Sequence, residues 1–159
     1  MRSTGLLIAA CCAVTGCITP PASQRVAEVA RELNLAARFG RMDLALEHTA
    51  DGARRHFTAH RAAWGGPLRV LDLELSSVSM SDNEHAVVLV DIQWSTLEEN
   101  ILHSTRIEQT WRGGVEDRGW MLVRERRVAG DIGLFGERVP RAEPRESQTD
   151  VQFASKTIR

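Results

Sequence analysis

The stretch His85-Ala-Val-Val-Leu-Val-Asp-Ile-Gln-Trp94, followed after a short link by Ile101-Leu-His-Ser-Thr-Arg-Ile-Glu-Gln-Thr-Trp111, decides the fold. Both stretches have period two. Ala86, Val88, Val90, Ile92 and Trp94 share one face of the first, and Ile101, His103, Thr105, Ile107, Gln109 and Trp111 share one face of the second, which is the pattern of half-buried strands. Upstream, Leu71, Leu73 and Leu75 alternate with Asp72 and Glu74, but Val78 falls out of step and predicts a bulge near Ser76-Ser77. Downstream, Arg112-Gly113-Gly114 to Arg118-Gly119 reads as a hairpin loop, and Trp120 to Val128 as a fourth strand. Consecutive strands with short links imply an antiparallel meander.

Ahead of the strands the period lengthens. From Gln24 to Phe39, Val26, Val29, Ala30, Leu33 and Ala37 recur at helical steps, with Ser23 as N-cap and Gly40 as the stop. Asp43 opens a short second helix, and Asp51 a third that runs to Trp64 before Gly65-Gly66-Pro67 ends it. Helices grouped before a meander give an α+β class, with N-terminal helices packed on a curved antiparallel sheet of about four strands.

This order of elements, closing on Gly119-Trp120-Met121-Leu122-Val123, resembles the NTF2-like (SnoaL-like) superfamily from Gln24 to Val128. A cystatin-like arrangement, with one helix laid across the sheet, is the rival. The NTF2-like resemblance implies a cone-shaped sheet around a pocket, lined here by Trp94, His103, Ile107, Gln109 and Trp111. Arg124 joins that set if its face of the fourth strand is the inner one, and would then suit an anionic ligand. Members of the superfamily include isomerases, cyclases and dehydratases as well as proteins that only bind. Steroid isomerase chemistry in this fold needs a carboxylate base and an acidic oxyanion donor such as Tyr, and this chain has no Tyr. Asp91 alternates with Ile92 and Trp94, which places it outside. His56 and His60 have the i,i+4 spacing of a metal pair, but Phe57 stands where a zinc protease carries Glu, so no metal and no cofactor is expected. Asp131-Ile132-Gly133-Leu134-Phe135-Gly136 reads as a turn that tucks Leu134 and Phe135 onto the sheet.

The chain opens differently. Arg2 precedes an apolar run from Gly5 to Val14, too short to span a bilayer, and Pro20-Pro21 lies a few residues beyond it. Val14-Thr15-Gly16-Cys17 resembles the lipobox of bacterial lipoproteins. The resemblance implies a signal peptide over 1–16, a diacylglyceryl thioether on Cys17, and a location in the cell envelope. With Ile18 in place of Asp, the anchor belongs in the outer membrane facing the periplasm. The mature chain then keeps no thiol, because Cys11 and Cys12 leave with the leader. Segment 17–23 is expected as a lipidated tether, 24–137 as the folded domain, and 138–159, rich in Pro, Arg, Glu and Ser, as a flexible tail.

Composition narrows the partners. The formal net charge is −1, from 20 basic and 21 acidic residues with interspersed signs, which leaves no electrostatic footprint for nucleic acid. The expected function is that of a non-catalytic envelope module binding a partner protein or a small apolar ligand. An NTF2-like enzyme acting on a small molecule, or a scaffold subunit of an envelope assembly, are the alternatives. Anchoring gives the first test. Cys17→Ser is expected to abolish metabolic labelling with palmitate and to leave unprocessed or released protein; a variant that still labels and fractionates like the wild type would refute the lipobox.

Overall fold

The computed structural model describes residues 20–99, 101–114 and 119–137. The expected leader, residues 17–19 of the tether, the tip of the Arg112–Gly119 loop and the tail lie outside the described residues. Within them, three helices, α1 (Ala22–Arg38), α2 (Met42–Glu47) and α3 (Asp51–His60), precede four strands, β1 (Leu68–Met80), β2 (His85–Thr96), β3 (His103–Arg112) and β4 (Met121–Gly130). The strands pair in the order β1-β2-β3-β4, antiparallel throughout. The class is therefore the expected α+β, with three helices rather than the single one of the cystatin-like alternative. No helix among the described residues is long and apolar enough to cross a membrane.

Helix α1 starts at Ala22, so the last two residues of segment 17–23 are helical. Its N-cap is Pro21 rather than the expected Ser23, and no side chain caps it. The apolar stripe Val26, Ala30, Leu33 and Ala37 is buried against the sheet. Gly40, at φ 73, ends the helix: its N–H bonds the Ala37 carbonyl at 3.1 Å and the Arg41 N–H bonds Ala36 at 2.9 Å, a Schellman closure that needs a left-handed residue. Helix α3 stops at His60, short of the expected Trp64, and Arg61 becomes its C-cap.

Bulges shape the sheet. In β1 the register passes from Leu75↔Val90 to Ser77↔Leu89, skipping Ser76 where the bulge is expected, and a second shift skips Leu71. The Arg38 guanidinium donates to the Leu71 carbonyl at that irregularity. In β4 the register passes from Trp111↔Leu122 to Thr110↔Arg124, and later from Ile107↔Arg127 to Arg106↔Ala129. Each extra residue exchanges the faces of the strand beyond it. Gly130 then sits opposite Thr105, where a Cβ would meet the Ser104 carbonyl oxygen at 2.2 Å. Only glycine fits there.

The core lies between the helices and the inner face of β2 and β3. Ala86, Val88, Val90, Ile92 and Trp94 are all buried, as their alternation predicts. Leu134 is fully buried beneath the loop after β4, and its carbonyl accepts the Trp64 indole N–H at 3.0 Å. The amide side chains of Asn34 and Gln109 are buried among them. Asn34 and Gln109 exchange a reciprocal pair of amide hydrogen bonds at 2.9 and 3.0 Å, which satisfies both in a region with no water access. Gln109→Ala is expected to cost about 1–3 kcal/mol by orphaning the Asn34 amide, and Trp111→Ala about 3–5 kcal/mol through lost packing. Urea unfolding of each variant measures both. The double change Asn34→Leu/Gln109→Leu should cost less than the sum of the two single changes.

Candidate functional site

The bulge at Val123 determines what β4 turns toward the helices. Without it, the residue two beyond Leu122, Arg124, would follow it inward. With it, Leu122, Glu125 and Arg127 oppose Trp111, Gln109 and Ile107 on the inner face, and Arg124 is exposed. A carboxylate thereby enters the protein, its side chain only 3% exposed. Its partner is Arg61, fully buried and lying 3.9 Å over the Phe57 ring and 4.8 Å over Trp64. Arg61 Nη1 and His60 Nδ1 both donate to Glu125 Oε1, the latter at 2.9 Å. A carboxylate can only accept, so His60 carries its proton on Nδ1. The His60 ring stacks on Phe135 at 4.1 Å.

Burial by itself would raise the Glu125 pKa. The charge of Arg61, with the hydrogen bonds from His60 and Arg61, outweighs it and holds the carboxyl below its ordinary range. The pair is not saturated: Glu125 Oε2 and Arg61 Nε and Nη2 are buried without a hydrogen-bond partner.

Glu125 also lines a cavity of about 310 Å³ between α3 and β4. Ala53, Phe57, Leu122 and Val123 give it apolar walls, and His56 and Arg124, both exposed, add polar groups beside Glu125. The segment before α3 holds this arrangement in place. Leu122 N–H bonds the His48 carbonyl at 2.8 Å and Ala50 N–H bonds the Leu122 carbonyl at 2.9 Å, so the start of α3 is fastened along the edge of β4. Gly52, in the first turn of α3, forms part of the wall, and a Cβ there would meet nothing within 4 Å. Its backbone does not require glycine, and glycine in a helix costs about 1 kcal/mol relative to Ala. The residue leaves space that the fold itself does not use.

Five of the six side chains assigned to a pocket from sequence lie away from this cavity. Ile107, Gln109 and Trp111 are fully buried and packed, with Gln109 occupied by Asn34. Trp94 donates its indole N–H to Thr105 Oγ1 at 2.9 Å and stacks on His103 at 4.3 Å. His103 is drawn to Asp131, with Nδ1 3.5 Å from the carboxylate. Trp94 borders a smaller hollow of about 220 Å³ with Pro67, Thr96 and Gly133. Arg124 alone of the six lines the α3–β4 cavity. His56 and His60 are in edge contact, 5.7 Å between centroids, and no group of three metal-ligating side chains occurs among the described residues. Periodicity does not single out Gly52, Arg61 or Glu125. A bulge at Val123 leaves no period-two break to detect, and Arg61 stands inside a helix expected to continue.

No protein-family model and no curated protein matches the sequence. Among solved structures the chain is similar to a SEC-C motif containing protein from Rhodopseudomonas palustris, with a TM-score of 0.53 and 17% identity over 64% of this chain and 77% of that one. It is also similar to an NTF2-like protein from Cytophaga hutchinsonii, with a TM-score of 0.51 and 14% identity over 67% of this chain and 96% of that one. At such identities the likeness concerns the fold, and the second structure carries the architecture expected from the order of elements.

The ion pair generates a pH prediction. Because the folded pKa of Glu125 is depressed, its contribution to stability is present above the unfolded value of about 4.3 and is lost as pH falls through the folded value. Glu125→Gln leaves Arg61 charged and buried, and is expected to cost about 3–5 kcal/mol at neutral pH. The difference from wild type should shrink on acidification below the carboxylate range, where the native residue is itself protonated. Chemical denaturation at a series of pH values checks this; a constant difference would deny the pair its role.

Proposed function

We propose that this chain is a lipid-anchored envelope protein whose NTF2-like domain binds a small ligand without transforming it, in the cavity between α3 and β4. The observation that carries the proposal is the buried Glu125 beside an open, partly apolar space. Ligand sites combine apolar walls with a few polar groups that orient the bound molecule, and cavities of about 300 Å³ lie at the lower end of their range. The anchoring part rests on Val14-Thr15-Gly16-Cys17, with the domain held in the periplasm at the outer membrane.

Catalysis fits less well. Acid–base work needs a group poised near the working pH and within reach of the substrate. Glu125 is held in its charged form by Arg61, and His60, its imidazole partner, stacks behind the cavity on Phe135 instead of lining it. A scaffold role finds some support in the link between β2 and β3, where Leu97, Ile101 and Leu102 are 55–61% exposed.

Fragment screening by NMR on the domain tests the binding proposal, with shifts expected at residues 52–57 and 122–125. Gly52→Leu should remove those responses by filling the space. The same change should leave the melting temperature equal or higher, since Leu is the better helix former. Fragments that bind only elsewhere, or binding that survives Gly52→Leu, would defeat it.

A further inference from the structure

The link between β2 and β3 presents a second surface, separate from the α3–β4 cavity. Leu97, Ile101 and Leu102 are 56%, 55% and 61% exposed, and Ile132, in the loop after β4, is 38% exposed. Hydrogen bonds bring these segments to one rim of the sheet. Asp131 N–H bonds the Ser104 carbonyl at 2.8 Å, Ser104 N–H bonds the Asp131 carboxylate at 2.8 Å, and Leu97 N–H bonds the Pro67 carbonyl at 3.0 Å. Four large apolar side chains on one rim form a patch of the kind that marks a contact surface. Its margin is acidic: Glu98, Glu99 and Asp131 are exposed, with His103 lying 3.9 Å from Glu99 and 3.5 Å from Asp131.

The described residues end beside this rim. The Gly133 and Phe135 N–H groups hold the Glu137 carboxylate at 3.1 and 2.9 Å, and Glu137 borders the small hollow shared with Pro67, Thr96 and Glu98. Beyond it, residues 138–159 carry five basic side chains against three acidic ones, a charge opposite to that of the rim. Val151 and Phe153 stand two apart, the spacing that turns both to one side of an extended segment. Val151 is 14 residues from Glu137, a reach of up to about 45 Å. A segment on so short a linker is present at the rim at about millimolar concentration, so even a weak apolar contact is populated.

We infer that segment 151–153 docks on the rim formed by Leu97, Ile101, Leu102 and Ile132 and covers it within the same molecule. Val151 and Phe153 lie on the apolar side chains, and the basic residues on either side of them, Arg145 and Lys156, face Glu98, Glu99 and Asp131. The segment is then a cover that any protein docking on this rim must displace. A scaffold contact there is closed until a tighter partner arrives. The inference rests neither on the α3–β4 cavity nor on the lipid anchor.

Disulfide trapping tests it in residues 18–159, which contain every described residue and no cysteine. With Leu102→Cys and Gln152→Cys together, an internal disulfide forms in glutathione buffer at a rate that reads the local concentration of the segment at the rim. Adding Val151→Ser and Phe153→Ser keeps the linker length and the charge but removes the apolar contact. Closure is then expected to slow at least about tenfold, the ratio that burial of one Phe side chain supplies. Leu102 is exposed and the other three positions lie beyond the core, so none of the changes disturbs the fold. An equal rate with and without the two Ser changes would mean collision without docking and would overturn the inference. Leu102→Cys alone giving disulfide-linked dimers faster than the pair closes internally would make a second copy the occupant, and overturns it as well.

Discussion

The contact between Arg61 and Glu125 fixes how the helices meet the sheet. A guanidinium and a carboxylate withdrawn from water are each costly to bury, and together they are tolerable only while they remain in contact. Helix α3 therefore has one acceptable position along β4, with Phe57, Trp64 and Phe135 closing around the guanidinium. The bulge at Val123, the early end of α3 at His60 and the loop that brings Phe135 over His60 all serve that contact. The pair gives little net stability compared with a hydrophobic substitute, but it specifies an arrangement that apolar packing alone would leave free to slide.

The inner face of the sheet has a second polar element of another kind. Asn34 and Gln109 satisfy one another and carry no charge, so they join α1 to β3 without demanding a counter-ion. Gln109 is also directly opposite Glu125 across β3 and β4. A neutral amide pair and a charged pair thus lie side by side on the inner face of the sheet. The space that the superfamily resemblance assigned to a ligand is taken up by Trp94, Ile107 and Trp111, and the open volume has moved outward to the seam between α3 and β4.

Much of the fold was legible because it depends on local periodicity. The faces of β2 and β3, the stripe on α1, the stop at Gly40 and the burial of Leu134 all come from residues within a few positions of one another. The bulge near Ser76 was visible too, since Val78 broke the alternation of leucines. The bulge in β4 was not, because Met121, Leu122 and Val123 are apolar at every position and erase the phase. Glu125 could not be assigned to a face for that reason, and with it went the ion pair and the cavity. Apart from Arg124, the pocket residues expected from sequence share a face with Trp94 and Trp111, and sharing a face with two large indoles is also what fills a core.

Residues 48–50 lie along β4 and Arg38 covers the Leu71 carbonyl on β1, so both outer strands of the sheet have part of their backbone occupied. Unpaired strand margins invite a neighbouring molecule to extend the ladder. For a chain tethered to a membrane by lipid, as proposed, neighbours are confined to a plane and meet far more often than they would in free solution. Such crowding turns a weak tendency to pair edge to edge into a real hazard of co-aggregation. The helix-linking segment at one margin and the guanidinium at the other are then safeguards, keeping a densely packed population of copies separate and each groove facing α3 unobstructed.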